Sequence, residues 1–384
     1  MKKKIGFIAL ILVFAILGMT ACDLIPGLGG QDHTHSFVEG KCECGETDPN
    51  YKPEETPTLG DYKLGLGTVI SLDSSATETA QIDGTIAAVV LDKDGKIVLC
   101  SIDAIQNKIK VKDGFIDMPS AFKTKMELGS DYGMSTSPWS SDNNGDGVIK
   151  EWFEQAKAFE NYVVGKTVAE VEAIKTQTLE NGYVIGTDDA LLSAGCTIQI
   201  TDFIAAVAKA CKDDQAVSFQ SAGNFTLGVA ANSYNDSSKD AEDEETDGVV
   251  QVYSDIAASV VENGKIVATL NDAVQPKVSF NIAGEITKKD FKGTKRELKE
   301  NYGMSTSPYS PDNNGDGTVK EWYVQSAAFS AYVVGKTGAE VKALETKEVN
   351  AHQISTDEAL LNAGCTIQIT GIKAVVAQAA NYAR

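Results

Sequence analysis

Histidine is nearly absent. The chain has 384 residues and three His, at positions His33, His35 and His352. Only His352 falls inside the two long stretches described below, so no Ser-His-Asp or Cys-His constellation is available to both. Neither a Walker loop nor a Rossmann glycine fingerprint occurs. No catalytic residues are therefore nominated. After Leu17, no apolar run is long enough to cross a bilayer. Positive charge is also short: 34 Lys and Arg stand against 54 Asp and Glu, a formal charge of -20. Such a chain repels nucleic acid and anionic headgroups and attracts cations. Part of the excess lies in "NDSSKDAEDEETDG", Asn235 to Gly248, which has no apolar face and reads as an exposed, mobile loop.

Lys2, Lys3 and Lys4 form a basic start, and an apolar run follows from Ile5 to Leu17. That length suits a signal sequence better than a spanning helix. The run ends Met19-Thr20-Ala21-Cys22, small residues before a Cys, which resembles a bacterial lipobox. The resemblance implies a lipoprotein signal over 1–21, a lipid on Cys22 and a mature chain anchored outside the cytoplasmic membrane. The plainer alternative is an ordinary signal peptide with a Cys nearby. Residues 22–58 have the Gly, Pro and acidic composition of a tether. Within it stand His33, His35, Cys42 and Cys44, a set able to close a tetrahedral Zn²⁺ site. The competing reading is a flexible stalk with incidental ligands. Of the other four Cys, Cys100, Cys196, Cys211 and Cys365 all sit in apolar contexts and read as small buried residues.

The rest of the chain is written twice. "YGMSTSPWSSDNNGDGVIKEWFEQAKAFENYVVGKT" begins at Tyr132, and a segment identical at 26 of its 36 positions begins 170 residues later, at Tyr302. "LLSAGCTIQIT" at Leu191 returns as "LLNAGCTIQIT" at Leu360. The period is domain-sized, so two tandem α+β domains are expected, over 59–216 and 217–384. In the first, "TIAAVVLD" and "KIVLCSID" read as a hairpin about Asp92–Gly95, and "KIKV" as a further short strand. Helices are predicted over "SAFKTKMELG", over "KEWFEQAKAFENYVVG" with Trp152, Ala156, Phe159 and Val163 facing the core, and over "TVAEVEAI" capped by Thr167. "CTIQI" reads as a strand, and Thr201 as the N-cap of a last helix that buries Phe203, Ile204, Val207, Ala208 and Cys211.

Both domains carry "DNNGDG". Oxygen side chains at alternate positions followed by Gly match the start of an EF-hand or dockerin-type loop. The Ca²⁺ ligands would be Asp142, Asn144, Asp146 and the Val148 carbonyl, then Asp312, Asn314, Asp316 and the Thr318 carbonyl. At position twelve, where a bidentate Glu belongs, stand Phe153 and Tyr323; Glu151 and Glu321, at position ten, are candidate substitutes. The alternative is an Asn-Gly/Asp-Gly turn without metal.

"AGCTIQITDFIAAVAKA" resembles the C-terminal end of the bacterial extracytoplasmic FMN-binding domain, whose hallmark is Ser-Gly-Ala-Thr followed two residues on by Thr-Ser. The likeness extends to the hairpin on "DKDGKI" that precedes the helices. It implies an α+β fold and an FMN carried on the motif's Thr through a phosphoester. Carried over, Gly195 and Thr197, and Gly364 and Thr366, match the Gly and the flavin-bearing Thr. Cys196 and Cys365 replace the Ala, Ala194 and Ala363 the Ser, and Gln199-Ile200 and Gln368-Ile369 the Thr-Ser. More broadly the chain is similar to tandem-repeat, clostridial-type surface lipoproteins. Two functions follow as expectations: a membrane-anchored flavin carrier or redox module, or a calcium-stabilised, non-catalytic surface binding or adhesion module. The partner that either would meet at the cell surface is not identified by the sequence.

Overall fold

The computed structural model describes residues 37–38, 41–42 and 59–384, except 138, 139, 141, 143, 144, 146, 309, 311, 314 and 316. Two compact units are present, Met1–Pro57 and Thr58–Arg384. In the first, β1 (Phe37–Val38) and β2 (Lys41–Cys42) pair antiparallel, with Phe37 opposite Cys42. Cys22, His33, His35 and Cys44 lie outside the described residues, and of Cys42 only its place in β2 is described.

The second unit is mixed α and β, with antiparallel sheets. Its first sheet is built from β3 (Gly60–Ser71), β4 (Thr79–Leu91), β5 (Ile97–Lys112), β6 (Phe115–Asp117) and, arriving later in the chain, β9. The short helix α1 (Lys125–Leu128) follows, then α2 (Trp152–Val163) and α3 (Val168–Glu172). A small pair, β7 (Thr176–Thr178) and β8 (Val184–Gly186), precedes α4 (Asp189–Ser193), α5 (Thr201–Cys211) and β9 (Val217–Ser221). The spatial order is β6-β5-β4-β3-β9. The β4–β5 hairpin turns on Asp92, whose Oδ1 accepts from the Asp94 and Lys96 N–H groups at 2.9 Å each.

The chain continues with β10 (Phe225–Asn235), β11 (Gly248–Glu262), β12 (Lys265–Val274), β13 (Lys277–Phe280) and β14 (Ile286–Asp290), which form the second sheet. Then come α6 (Lys295–Leu298), α7 (Trp322–Tyr332), α8 (Gly338–Lys342), the pair β15 (Thr346–Val349) and β16 (His352–Ser355), α9 (Glu358–Asn362) and α10 (Thr370–Tyr382). Where β5 runs unbroken, the second sheet breaks between β12 and β13 at Gln275-Pro276. Proline has no N–H to give the ladder, which accounts for the interruption.

Strand β4 shows why the two sheets lie face to face. Side chains alternate along a strand. Ala87 and Val89 point into one core with Trp152, Phe159, Phe203 and Val207 of the helices. Ile86, Ala88 and Val90 point the other way, into a core shared with Leu227, Val229, Ile256, Ala258 and Leu270 of the second sheet. A further shared core joins Ile82 and Ile109 to Val250 and Phe280. The layers therefore run helices, sheet, sheet, helices, with α7 and α10 covering the outer face of the second sheet. Each fully buried Ile or Phe here contributes about 1.5–3 kcal/mol relative to exposure. Helix α5 lies close on β3, since a Cβ at Gly65 would stand 2.0 Å from the Ala210 carbonyl oxygen. Gly228 allows α10 the same approach to β10, 2.1 Å from the Ala379 oxygen.

The sequence-based elements need four changes. "SAFKTKMELG" is α-helical only over Lys125–Leu128, where Thr124 caps the start. "KIKV" is not a separate strand but the end of β5. "CTIQI" is not a strand: the Thr197 N–H goes to the Gln155 side chain and the Ile200 N–H to the Val184 carbonyl, which leaves no ladder. Thr201 is the first residue of α5 rather than its cap; Ile200 holds the cap position. Thr167 does cap α3, in a reciprocal box with Glu170. The acidic run after Asn235 is largely exposed but docked: the Ala241 N–H donates to the Gly114 carbonyl at 2.8 Å, and Asp236 accepts from the Gln251 side chain at 2.6 Å. Cys100, Cys196 and Cys365 are buried free thiols and Cys211 is half-buried.

Candidate functional site

The doubled Ala-Gly-Cys-Thr is a helix stop. Helix α4 ends at Ala194; the Gly195 N–H donates to the Leu192 carbonyl at 2.8 Å and the Cys196 N–H to the Leu191 carbonyl at 3.2 Å. These two bonds make a Schellman motif, which needs a left-handed residue after the cap. Gly195 supplies it at φ +85°, and Gly364 repeats it at φ +93° after α9. Lys150 lies across Gly195 and donates its ammonium to the Ala194 carbonyl at 2.9 Å; Lys320 covers Gly364 in the same way. Cys196 and Cys365 are fully buried beneath.

The turn delivers Thr197 and Thr366 to two buried glutamines that the sequence reading did not single out. Gln155 Oε1 accepts from the Thr197 N–H at 2.8 Å and from its hydroxyl at 3.3 Å. Gln325 Oε1 accepts from the Thr366 N–H at 2.8 Å and its hydroxyl at 3.1 Å. Each glutamine also donates to the carbonyl just before its helix, Lys150 at 2.8 Å and Lys320 at 2.7 Å. The signal was in the text: "KEWFEQ" and "KEWYVQ" keep Gln on the apolar face. Thr197 and Thr366 are only 6% and 7% exposed.

Asp142 and Asp312 are held inside their loops. Asp142 accepts from the Gly145 and Gly147 N–H groups, both at 2.8 Å, and Asp312 from Gly315 at 2.8 Å and Gly317 at 2.7 Å. Asn144, Asp146, Asn314 and Asp316 lie outside the described residues. Val148 and Thr318 are exposed. Glu151 takes the Met134 N–H at 2.9 Å, the Ser135 N–H at 3.1 Å and the Ser135 hydroxyl; Glu321 takes the same groups of Met304 and Ser305. Burial raises the Glu151 carboxyl, but the Ser135 and Met134 donors outweigh it and leave it below its ordinary range. Among the described residues no group of three or more His, Cys, Asp or Glu is gathered for a metal.

Thr366 stands on the wall of a cleft of about 450 Å³. Trp322, Gln325, Tyr302, Tyr253, Tyr234, Asp255, Lys295 and His352 share that wall. Tyr234 and Tyr253, opposite each other on β10 and β11, stack at 5.1 Å and 20°. The Lys295 ammonium lies 4.6 Å, 4.5 Å and 5.4 Å from the ring centres of Tyr253, Tyr302 and Trp322. Asp255 is 3% exposed. Burial, partly offset by Lys295, pushes its carboxyl up to about 7. Burial likewise lowers the Lys295 ammonium to about 8, against the nearby carboxylates. A cleft of about 390 Å³ lies in the first half, with Tyr132, Trp152, Gln155, Lys125 and Gln199 on its wall. It lacks the stack: the register sets Ser71 and Asp83 where the second sheet has Tyr234 and Tyr253.

Asp103 and Asp272 work behind the clefts. Asp103 Oδ1 accepts from Ala104 at 2.7 Å and Met126 at 3.1 Å, and so pins the first turn of α1 to β5. Asp272 holds α6 in the same way, through Ala273 at 2.8 Å and Arg296 at 3.1 Å. Burial raises the Asp103 carboxyl to about 7. Burial raises Asp272 less, to about 6, because Arg296 stands beside it. The sequence showed both in "SIDAIQ" and "LNDAVQ" as a lone charge in an apolar strand.

A search of protein-family models finds none that matches this chain. A chlorophenol reductase of Desulfitobacterium hafniense is 34% identical over an alignment of 102 residues that covers 23% of this chain and 29% of that protein. The chain thus spans under a third of that relative's length. A putative exported protein with a YmcC-like fold from Bacteroides fragilis NCTC 9343 aligns over 59% of this chain and 91% of its own at 8% identity, with a TM-score of 0.12. That score supports no common fold. Among the described residues no helix is long and apolar enough to cross a membrane.

Proposed function

We propose that the protein is a lipid-anchored, extracytoplasmic binding module built by duplication of one FMN-binding-like α+β domain. In this reading it holds a small planar ligand in the cleft beside Thr366 and does not turn it over. The observation that carries the reading is the stacked Tyr234–Tyr253 pair, which shares one cleft wall with Trp322. Aromatic faces bind flat rings, and a few polar groups fix their orientation. The lipid on Cys22 keeps the site at the membrane, the 22–58 tether with or without Zn²⁺ gives it reach, and Ca²⁺ in the Asp142 and Asp312 loops stiffens the rims. The test is a fluorescence titration of the mature chain with a panel of planar ring compounds, FMN among them. Saturable binding by at least one, lost in Tyr253→Ser, supports the reading; no binding by any sinks it.

A second reading is the flavin carrier. Thr366, the position that matches the flavin-bearing Thr, stands on the cleft wall. Covalent attachment there requires the Thr366 hydroxyl to leave Gln325. Co-expression with a flavin transferase followed by intact-mass measurement separates the readings. A flavin adduct lost in Thr366→Val favours the carrier, and an unmodified mass favours non-covalent binding.

A further inference from the structure

The two clefts are not chemically equivalent, and the difference centres on Lys295. Its side chain is 6% exposed, yet among the described residues no hydrogen bond or ion pair takes its ammonium. The nearby carboxylates are committed elsewhere. Asp236 accepts from the Gln251 and Gln275 side chains, and Asp272 from the Ala273 and Arg296 N–H groups. Asp255 has one long bond, from the Tyr234 hydroxyl at 3.4 Å. Ring faces stabilise a cation but do not replace an acceptor. All three rings around Lys295 belong to the cleft wall, so the unmet ammonium faces the cleft.

The first half repeats the lysine over two rings, with the Lys125 ammonium 4.8 Å and 5.5 Å from the Tyr132 and Trp152 ring centres, but differs around it. Lys125 is only half-buried. The strand registers place Thr85 where Asp255 stands, since Ile86 opposes Asp103 and Ile256 opposes Asp272. In the first turn of the following helix the exchange reverses, with Asp202 on α5 and Gly371 on α10. A Cβ at Gly371 would lie 1.9 Å from Asp255 Oδ2. The loss of a side chain at 371 is thus what admits the Asp255 carboxylate to the second cleft.

We propose that the second cleft selects small aromatic carboxylates that also carry a hydroxyl or amino donor. The ligand's carboxylate meets the Lys295 ammonium where it lies over Tyr253, Tyr302 and Trp322, its ring lies beyond that ammonium along the cleft wall, and its donor meets Asp255. A charge-assisted bond in a low-dielectric cleft gives the Lys295 contact its selectivity over a neutral group. This rests on the binding-module reading and names the ligand class for the same site.

The probes are 4-hydroxybenzoate, its neutral amide 4-hydroxybenzamide, benzoate, cyclohexanecarboxylate and FMN, each titrated calorimetrically into the mature protein. Binding of 4-hydroxybenzoate at one site is expected, with the amide, the unsubstituted benzoate and the saturated acid each at least tenfold weaker. Lys295→Met, which keeps the stem against the rings, should weaken 4-hydroxybenzoate at least tenfold and the amide little; Lys125→Met should change neither. Asp255→Asn should erase the preference for 4-hydroxybenzoate over benzoate. Equal binding of acid and amide to the wild type overturns the proposal, and so does loss through Lys125 instead of Lys295. That wild-type comparison decides the matter even if Lys295→Met fails to fold. If FMN binds and every carboxylate fails, the proposal falls while the binding-module reading stands; if nothing binds, both fall.

Discussion

Asp103 tests the electrostatics one residue at a time. Its Oδ2 is buried with no hydrogen-bond partner among the described residues, and burial lifts the carboxyl to about 7. Between its ordinary value near 4 and pH 7 the folded chain holds a proton there that the unfolded chain has lost. Stability must therefore fall as pH rises through that window and level off above it. The fall is on the order of a few kcal/mol, at roughly 1.4 kcal/mol per unit. Asp103→Asn keeps an acceptor for Ala104 and Met126 but cannot ionise. Its melting temperature should match the wild type only below about pH 4 and exceed it increasingly up to about pH 7; thermal unfolding at pH 4 and pH 8 checks this, and an equal difference at the two pH values contradicts it. Gly195 makes a second, simpler test. Gly195→Ala puts a Cβ on a left-handed residue and 2.5 Å from the Lys150 ammonium. A loss of about 1–2 kcal/mol in denaturant unfolding is expected.

At the scale of elements, the glutamine on α2 fastens the Schellman turn to its neighbours. Gln155→Leu would leave the buried Thr197 N–H and the Lys150 carbonyl without this partner. A cost of about 1–3 kcal/mol follows, read as a lower urea midpoint. The loops that begin at Asp142 and Asp312 carry their own prediction. If they hold Ca²⁺, millimolar Ca²⁺ should raise the melting temperature over a chelated control, and Asp142→Ala should remove part of the rise. The same elements show what the sequence could and could not disclose. The β4–β5 hairpin, α2 and the Thr167 cap are local, so alternation, 3.6-residue spacing and capping chemistry suffice to find them. "CTIQI" misleads because β-branched residues read as a strand, while its Thr197 N–H goes to a side chain 42 residues away and its Ile200 N–H to the Val184 carbonyl. The cleft was hidden for a related reason: Tyr234, Tyr253, Lys295 and Trp322 meet only through sheet register and helix docking. No spacing along the chain brings them together.

The whole second unit rests on contacts between residues 59–216 and 217–384. Beyond the shared cores, β9 adds Val217–Ser221 to the edge of the first sheet. Arg296 grips Asp213 with Nη2 at 3.0 Å and 2.9 Å from its two oxygens, both side chains 6% exposed. Removing one partner of such a buried pair costs about 3–5 kcal/mol, because the other charge is stranded. Arg296→Met should lower the unfolding midpoint accordingly, and calorimetry of residues 58–384 should give one transition, not two. Two separate transitions would mean that the halves stand alone. The function proposed above places ligand in one of the two clefts. The most direct measurement is a fluorescence titration of the mature chain with the planar-ring panel, run in parallel on Tyr253→Ser and on Asp83→Ser, its counterpart in the first sheet. One equivalent of ligand should bind to the wild type and to Asp83→Ser, with binding lost in Tyr253→Ser. Binding that survives in Tyr253→Ser, or that is lost equally in both variants, would contradict the account.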